Sequence, residues 1–436
     1  MRRKQCSIKT GDNTGVRMPV GMGEGGSSVN MEFAFLKNSC DEGLGGLNRR
    51  DFCSAITAVA VTGPTGMIGL NPPIGALPDG YDAVLPAVSE SCHRIFFEAA
   101  QNMRRVDDAS VDLVVTSPPY PMIEMWDAVF AAQNGGIEEV LESSPMSAFE
   151  LMHKELDKVW SECFRVLRDG GIMCVNIGDA TRTISKDFQL YNNHSRIVSS
   201  CLKLGFANLP NIIWRKQTNA PNKFMGSGML PCGAYVTLEH EWILVFRKGG
   251  KRTYKSDSEK ARRRSSAFFW EERNKWFSDL WEIKGTRQSI INSQTRDRNA
   301  SFPLEVPFRL VNMYSQMGDT VLDPFMGMGT TLVAAMLLGR NSIGFEIDKG
   351  LRPSIAEFVS SMGVDIIRKL VRDRLDAHLA FVKERENTGK IVKYDNQRLR
   401  CKVMTSQEVD MELVIPEKIE RVDGDSFSCH CSYKSI

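Results

Sequence analysis

The stretch TVLDPFMGMGTTLVAAMLLGRNSIGFEID, Thr320 to Asp348, most constrains what this chain can fold into. A short apolar run ends at Asp323, Gly327-Met328-Gly329 makes a turn, and an Ala- and Leu-rich helix follows. A second apolar run, NSIGFEI, then ends at Glu346. Strand, glycine turn, helix and strand in succession predict a unit of an α/β fold with a mostly parallel sheet. Glycines at the turn let the backbone fold tightly and let a ligand approach the main chain. Glu346 lies about 20 residues past Gly327, the spacing at which an acid on the next strand can bond ribose hydroxyls of a nucleoside ligand. Two phosphate-binding patterns are excluded. Gly329 is followed by Thr330-Thr331 with no lysine, and Leu332 stands where a dinucleotide loop carries its third glycine.

A second stretch, VDLVVTSPPYPM from Val111 to Met122, reads as a buried strand stopped abruptly. Proline fixes its own φ, lacks an N–H for the ladder and pushes the residue before it towards extended geometry. Thr-Ser-Pro-Pro-Tyr is therefore a stiff exit holding a hydroxyl and an aromatic ring. Open α/β sheets bind ligands just beyond the carboxyl ends of their strands.

Around these stretches the chain divides unevenly. Its 436 residues suggest about two or three domains. Residues 1–90 are rich in glycine and serine, and read as irregular or partly disordered. GPTGMIG within them lacks the strand and lysine of a phosphate loop. Residues 91–247 alternate helices with short apolar strands. SPMSAFELMHKELDKVWSECFRVLRDGG reads as one amphipathic helix stopped by Gly170-Gly171. Residues 248–298 form a basic and aromatic insert. From Arg247 to Arg264 the chain carries nine Lys/Arg against two acids, and Trp270, Trp276 and Trp281 follow. Residues 299–350 hold the glycine turn, and residues 351–436 read as a charged helix with a small β tail.

The formal net charge is only +2, so any polyanion site must come from a local patch. Eleven scattered cysteines fit a reducing compartment better than a disulfide framework. No run of about 18 apolar residues occurs, and the basic N-terminus lacks the apolar core of a secretory signal, so the cytoplasm is the expected location. Cys232 in LPCGAY follows a proline, but a loop or buried cysteine is the expected reading. Cys429-His430-Cys431 has no second ligand pair nearby and reads as exposed tail.

TSPPY at 116–120, DPFMGMGTT at 323–331 and GFEID at 344–348 together resemble the amino-directed DNA methyltransferases that use S-adenosylmethionine. The order of the motifs is similar to that family's permuted β group. RVLRDGGIMCVNIGD, HEWILVFRKGG and SFPLEVPFRLVN also resemble its segments, and the likeness covers about residues 92–350. It implies a Rossmann-like methyltransferase sheet with helices on both faces and an inserted target-recognition region. By the same resemblance Ser117, Pro118, Pro119 and Tyr120 are the catalytic residues. Asp323, Pro324, Phe325, Gly327, Gly329 and Thr330 would take the methionine end of the cofactor. Glu346 would take the ribose, and Phe302 and Pro303 would help enclose it. No metal is required.

The resemblance further implies flipping of a base out of duplex DNA, with Arg247, Lys248, Lys251, Arg252, Arg262, Arg263 and Arg264 along the phosphates. Serine at the head of the tetrapeptide points to cytosine N4, with adenine N6 as the alternative. A restriction endonuclease cutting the same site is an expected partner. One departure stands out: Glu98-Ala99 occupies the place where the family often carries Gly-Asp. RNA or protein amino methylation, and a catalytically dead DNA-binding protein, are the competing readings.

Overall fold

A computed structural model describes residues 88–216, 225–226, 229–284, 302–361, 363–423 and 427–435. The segment read as irregular, residues 1–90, lies almost entirely outside them. The frame is one large sheet. Its strands are β1 (Glu90–Phe96), β2 (Val111–Thr116), β3 (Leu167–Ile177), β4 (Ile212–Arg215), β5 (His240–Lys248), β6 (Leu280–Glu282), β7 (Thr320–Asp323), β8 (Asn341–Phe345), β9 (Val414–Asp423) and β10 (Phe427–Ser435). They lie in the order β6-β4-β5-β3-β2-β7-β8-β1-β10-β9, with a short strand, Phe206–Asn208, beside β5. Neighbours from β3 through β2, β7 and β8 to β1 are parallel. Strand β5 runs antiparallel to β3 and β4, and β10 runs antiparallel to β1 and β9.

Strand alternation explains the layers. Leu113 and Val115 of β2, Ile172 and Cys174 of β3 and Val321 of β7 enter one core. Val114, Met173, Val175, Ile177 and Leu322 enter the other. The helix Pro145–Val166 covers the second face, burying Met152, Leu156, Val159, Trp160 and Cys163 at helical spacing. Each such aliphatic or aromatic side chain contributes roughly 1.5–3 kcal/mol of burial. Helices Glu305–Tyr314, Thr330–Leu337 and Val364–Asn387 cover the first face.

Two expectations change. The long helix ends at Val166 rather than at Gly170-Gly171, and β3 begins at once. Gly170 sits instead in an irregularity between β2 and β3, at φ +80°, where a Cβ would lie 2.7 Å from the Arg252 nitrogen. The C-terminal tail is not an exposed appendage, because β9 and β10 extend the main sheet past β1. Cys431 is therefore buried while the neighbouring His430 is exposed, on the opposite face of the strand. Trp276 and Trp281 are fully buried in the first core, and the half-buried Trp270 packs against Phe381.

One buried polar contact fastens the C-terminal helix to that aromatic segment. His378 Nδ1 lies 2.7 Å from Glu271 Oε1, its Nε2 lies 2.8 Å from the Lys402 carbonyl, and its ring stacks on Phe269 at 3.8 Å. Both partners are acceptors, so the imidazolium can donate to each. Burial opposes the charge, but hydrogen bonds from the Cys401, Glu271 and Lys402 side outweigh it and push the pKa up to about 10. A raised histidine stabilises fully below its unfolded pKa and loses that contribution as pH rises through the folded one. Thermal melts should therefore show stability falling between pH 6.5 and about 10, and His378→Gln should flatten that fall.

Candidate active site

Parallel pairing puts the carboxyl ends of β2, β7 and β8 side by side. Val321 and Leu322 pair with Leu113 and Val114, and Asp323 pairs with Gly344. Ser117, the glycine turn and Glu346 follow directly on these ends. The fully buried Asp323 joins them. Its carboxylate accepts from Thr116 Oγ1 at 2.6 Å, Thr331 Oγ1 at 2.7 Å and the Phe325 amide at 3.1 Å. Burial outweighs those three bonds and raises its pKa to about 6. Gly327 and Gly329 have φ of +53° and +88°, and Gly329 forms the N-cap of the helix Thr330–Leu337. A residue with a side chain is strained there. Glu346 closes the turn: it accepts from the Gly327 amide at 2.9 Å and from the Asp348 amide at 2.7 Å. Each carboxylate oxygen keeps a lone pair for a hydroxyl.

These elements surround one cleft of about 1050 Å³, open to solvent. Ser117, Pro119, Phe302, Asp323, Pro324, Phe325, Gly327, Thr330 and Glu346 of the expected residues line it. Gly329 shapes the turn from behind, and Pro118 and Pro303 are buried supports. Glu98 and Ala99, the place of the departure, line it as well, and Glu98 also pairs with Arg105 at 3.4 Å. Gln101, Trp126 and Gln133 are lining residues that the motifs did not point to, and Asp348, the end of GFEID, lines it too. Four acids and no Lys or Arg face the cleft among the described residues. An anionic, phosphate-bearing ligand is disfavoured there, whereas a nucleoside carrying positive charge is favoured.

Tyr120 turns away from the glycine loop towards the ends of β3 and β5. Its hydroxyl donates to Glu241 Oε2 at 2.9 Å and lies 3.2 Å from Ser117 Oγ. Asn176 Nδ2 donates to the same hydroxyl at 2.9 Å and to Glu241 Oε2 at 2.7 Å. Lys216 Nζ pairs with the other Glu241 oxygen. Burial and the Glu241 charge hold the Tyr120 phenol well above its usual pKa. Neither Asn176 nor Glu241 was singled out by sequence. The available signal was a polar residue inside an otherwise apolar strand, in IMCVNIGD and HEWILVF, since buried polar groups need partners.

The basic stretch does not line the cleft. Because β5 is antiparallel, Arg247 and Lys248 lie at the amino ends of the parallel strands, opposite the cleft. Lys248 Nζ donates to the Leu167 carbonyl at 2.7 Å, and Arg247 Nε to the Gly249 carbonyl at 3.0 Å. Arg252 is clamped by Asp319 at 2.6 Å and Asp112 at 3.1 Å. Arg264 pairs with Asp410 at 2.9 Å, and Arg263 lies over the Tyr254 ring. Arg262 reaches towards Gly318, beside the same edge, and Lys251 is exposed. Much of the run is a helix, Asp257–Ser265, whose capping box is formed by Ser256 and Glu259. Lys248 and Arg252 thus brace the amino edge of the sheet, on the far side from Ser117.

A mostly parallel sheet with an acidic cleft at the carboxyl edge of its strands is the Rossmann-like architecture. Residues 111–357 match the family described as DNA methylase, of the N6/N4 type. The type II methyltransferase M.MthZI of Methanothermobacter thermautotrophicus is 47% identical over 341 residues, covering 78% of this chain and 94% of that protein. M.MjaI of Methanocaldococcus jannaschii, also a type II methyltransferase, is 51% identical over 277 residues, covering 61% and 90%. Among solved structures, TTHA0409 of Thermus thermophilus, complexed with S-adenosylmethionine, is 33% identical over 62% of this chain and 94% of its own, with a TM-score of 0.48. The cytosine-N4-specific PvuII DNA methyltransferase is 16% identical over 66% and 95%, with a TM-score of 0.42. The chain belongs to the N6/N4 family of DNA methyltransferases, and its relatives are type II enzymes.

Removing the Asp323 carboxylate takes the acceptor from the Thr116 hydroxyl and the Phe325 amide and leaves Thr331 Oγ1 only the Val115 carbonyl at 3.5 Å. Asp323→Ala should cost roughly 2–4 kcal/mol in denaturant unfolding, whereas Asp323→Asn retains acceptors and should cost under about 1 kcal/mol at neutral pH. The sign of the pH effect follows from a raised acid: its contribution is greatest below pH 3.8 and is lost as pH rises through about 6. Subtracting the Asp323→Asn stability curve from that of the native chain should expose that loss.

Proposed function

We propose that this protein transfers a methyl group from S-adenosylmethionine to the exocyclic N4 of cytosine in duplex DNA. It would be the modification half of a type II restriction–modification system. One observation carries the reading: Ser117, the glycine turn and Glu346 open into the same cleft. The cofactor, when bound, supplies a methyl group on a positively charged sulfur. Glu98, Glu346 and Asp348 suit that charge, and Glu346 would accept from ribose hydroxyls. Gly327 and Gly329 leave the main chain accessible beside Phe325 and Phe302.

An exocyclic amino group is a poor nucleophile, because its lone pair is delocalised into the ring. Acceptors aimed at both N–H bonds localise that lone pair on the open side. Ser117 Oγ and the Pro118 carbonyl supply them, and Pro118 and Pro119 hold that loop before substrate arrives. The Tyr120 ring offers a stacking face for the extruded base. Serine in this place favours cytosine N4 over adenine N6. The base reaches Ser117 only by leaving the duplex, at a few kcal/mol offset by stacking and edge contacts. DNA approaches the carboxyl edge of the sheet, not the cations braced beneath it.

Incubating duplex DNA with the protein and S-adenosylmethionine, then digesting to nucleosides, should yield N4-methylcytosine. N6-methyladenine alone would reassign the target base, and label appearing only in RNA or protein would reject DNA as substrate. Ser117→Ala should lower transfer by at least about a hundredfold, as removal of one preorganised polar contact does elsewhere. Lys251→Ala/Arg263→Ala, at the opposite edge, should leave DNA affinity and its salt slope within about twofold, since neither charge would contact a phosphate.

A further inference from the structure

Ser117 can serve the base amino group only if its own hydroxyl proton points elsewhere. A serine hydroxyl rotates freely and is donor or acceptor according to its neighbours. Four side chains around Ser117 settle the choice. Glu241 is a carboxylate and can only accept. Its Oε2 takes the Tyr120 hydroxyl proton at 2.9 Å and an Asn176 amide proton at 2.7 Å, and Lys216 holds its other oxygen. With its proton committed to Glu241, the Tyr120 oxygen is left as an acceptor. It takes the second Asn176 amide proton at 2.9 Å and faces Ser117 Oγ at 3.2 Å. Asn176 Nδ2 also lies 3.4 Å from Ser117 Oγ; both its protons are taken up by Glu241 and Tyr120, and as an amide nitrogen it cannot receive the Ser117 proton.

We propose that Glu241 is a positioning residue that fixes the polarity of this chain. Its charge aligns Tyr120, Tyr120 receives the Ser117 proton, and the Ser117 lone pairs are turned towards the base N–H. This rests on the reading of Ser117 as an acceptor for the target amino group. Strand geometry supplies the parts. Asn176 and Glu241 come from the adjacent, antiparallel β3 and β5, where Trp242 pairs with Ile177. Ser117 follows β2, whose Thr116 pairs with Val175 of β3. Lys216 follows β4, whose Trp214 pairs with Glu241. The same bond pins the Tyr120 ring, which packs against Gly178, where an added Cβ would lie 3.0 Å from the ring.

The test is single-turnover methylation of duplex DNA carrying 2-aminopurine beside the target, whose fluorescence reports extrusion independently of transfer. Glu241→Gln introduces an amide that can donate to Tyr120 and reverse the chain. It should lower the transfer rate at least about tenfold, while KM for both substrates and the extrusion signal stay within about twofold. Tyr120→Phe keeps the ring and should give a similar loss, and the double variant should be no worse than the poorer single one, because both act through one chain. If Glu241→Gln does not fold, Tyr120→Phe decides alone. Native-like transfer in a folded variant overturns the proposal, and so does a loss matched by equal losses in extrusion and binding. If the native protein itself methylates no duplex DNA, the functional reading fails instead.

Discussion

The carboxylate of Asp323 is the tie on which the site depends. It is a charged group placed where charge is disfavoured, and three donors hold it there. Those donors belong to different parts of the site. Thr116 is the last residue before Ser117, Phe325 opens the glycine turn, and Thr331 stands in the first turn of the following helix. One side chain thus fixes the distance between the exit of β2 and the loop beside Gly327. Its oxygens are spent on protein donors, so its part in holding a cofactor is indirect. The groups left to touch one are the backbone of the turn and Glu346.

The same division of labour recurs along the sheet. Parallel strands bring their carboxyl ends to one edge, and the antiparallel β5 is an exception that serves it. Its starting end adds Glu241 to the cluster around Tyr120, and its finishing end carries Arg247 and Lys248 to the opposite edge. There the buried Asp112, in β2, and Asp319, just before β7, need partners. Arg252 lies against both, while burial and the neighbouring Asp319 still push Asp112 up to about 6. Lys248 and Arg252, two cations of the basic run, are thus held by a carbonyl and two acids of the fold.

What was legible followed from local chemistry. Proline stops a strand, glycine permits a left-handed turn and an acid one strand on faces that turn, so Ser117, Gly327 and Glu346 could be read before any pairing was known. What was hidden depended on pairing. Nothing near Asn176 in sequence indicates that Glu241 lies on the next strand. Nothing near Tyr433 indicates that its strand continues the main sheet beside β1. Gly170-Gly171 reads as a helix stop by its composition. In the fold the stop is unnecessary, because β3 pairs with β2 from Leu167 onward and Gly170 makes room for Arg252. Likewise a tryptophan in a basic neighbourhood carries no mark of whether it faces water, and Trp276 and Trp281 face the core.

The two halves of the site impose opposite electrostatic demands, and the fold meets them separately. A positively charged nucleoside is favoured by acids, and the cleft offers Glu346, Asp348 and Glu98 without a lysine or arginine among its described lining. An amino group about to become a nucleophile is favoured by acceptors aimed at its N–H bonds, and in the proposed reading the side-chain acceptor there is the neutral Ser117 hydroxyl. Glu241 therefore acts at one remove, with its charge balanced by Lys216 and passed on through the Tyr120 hydroxyl to Ser117. A carboxylate screened by a phenol orients a serine without confronting the base. That arrangement needs β3, β5 and the exit of β2 side by side, which is what this sheet order provides.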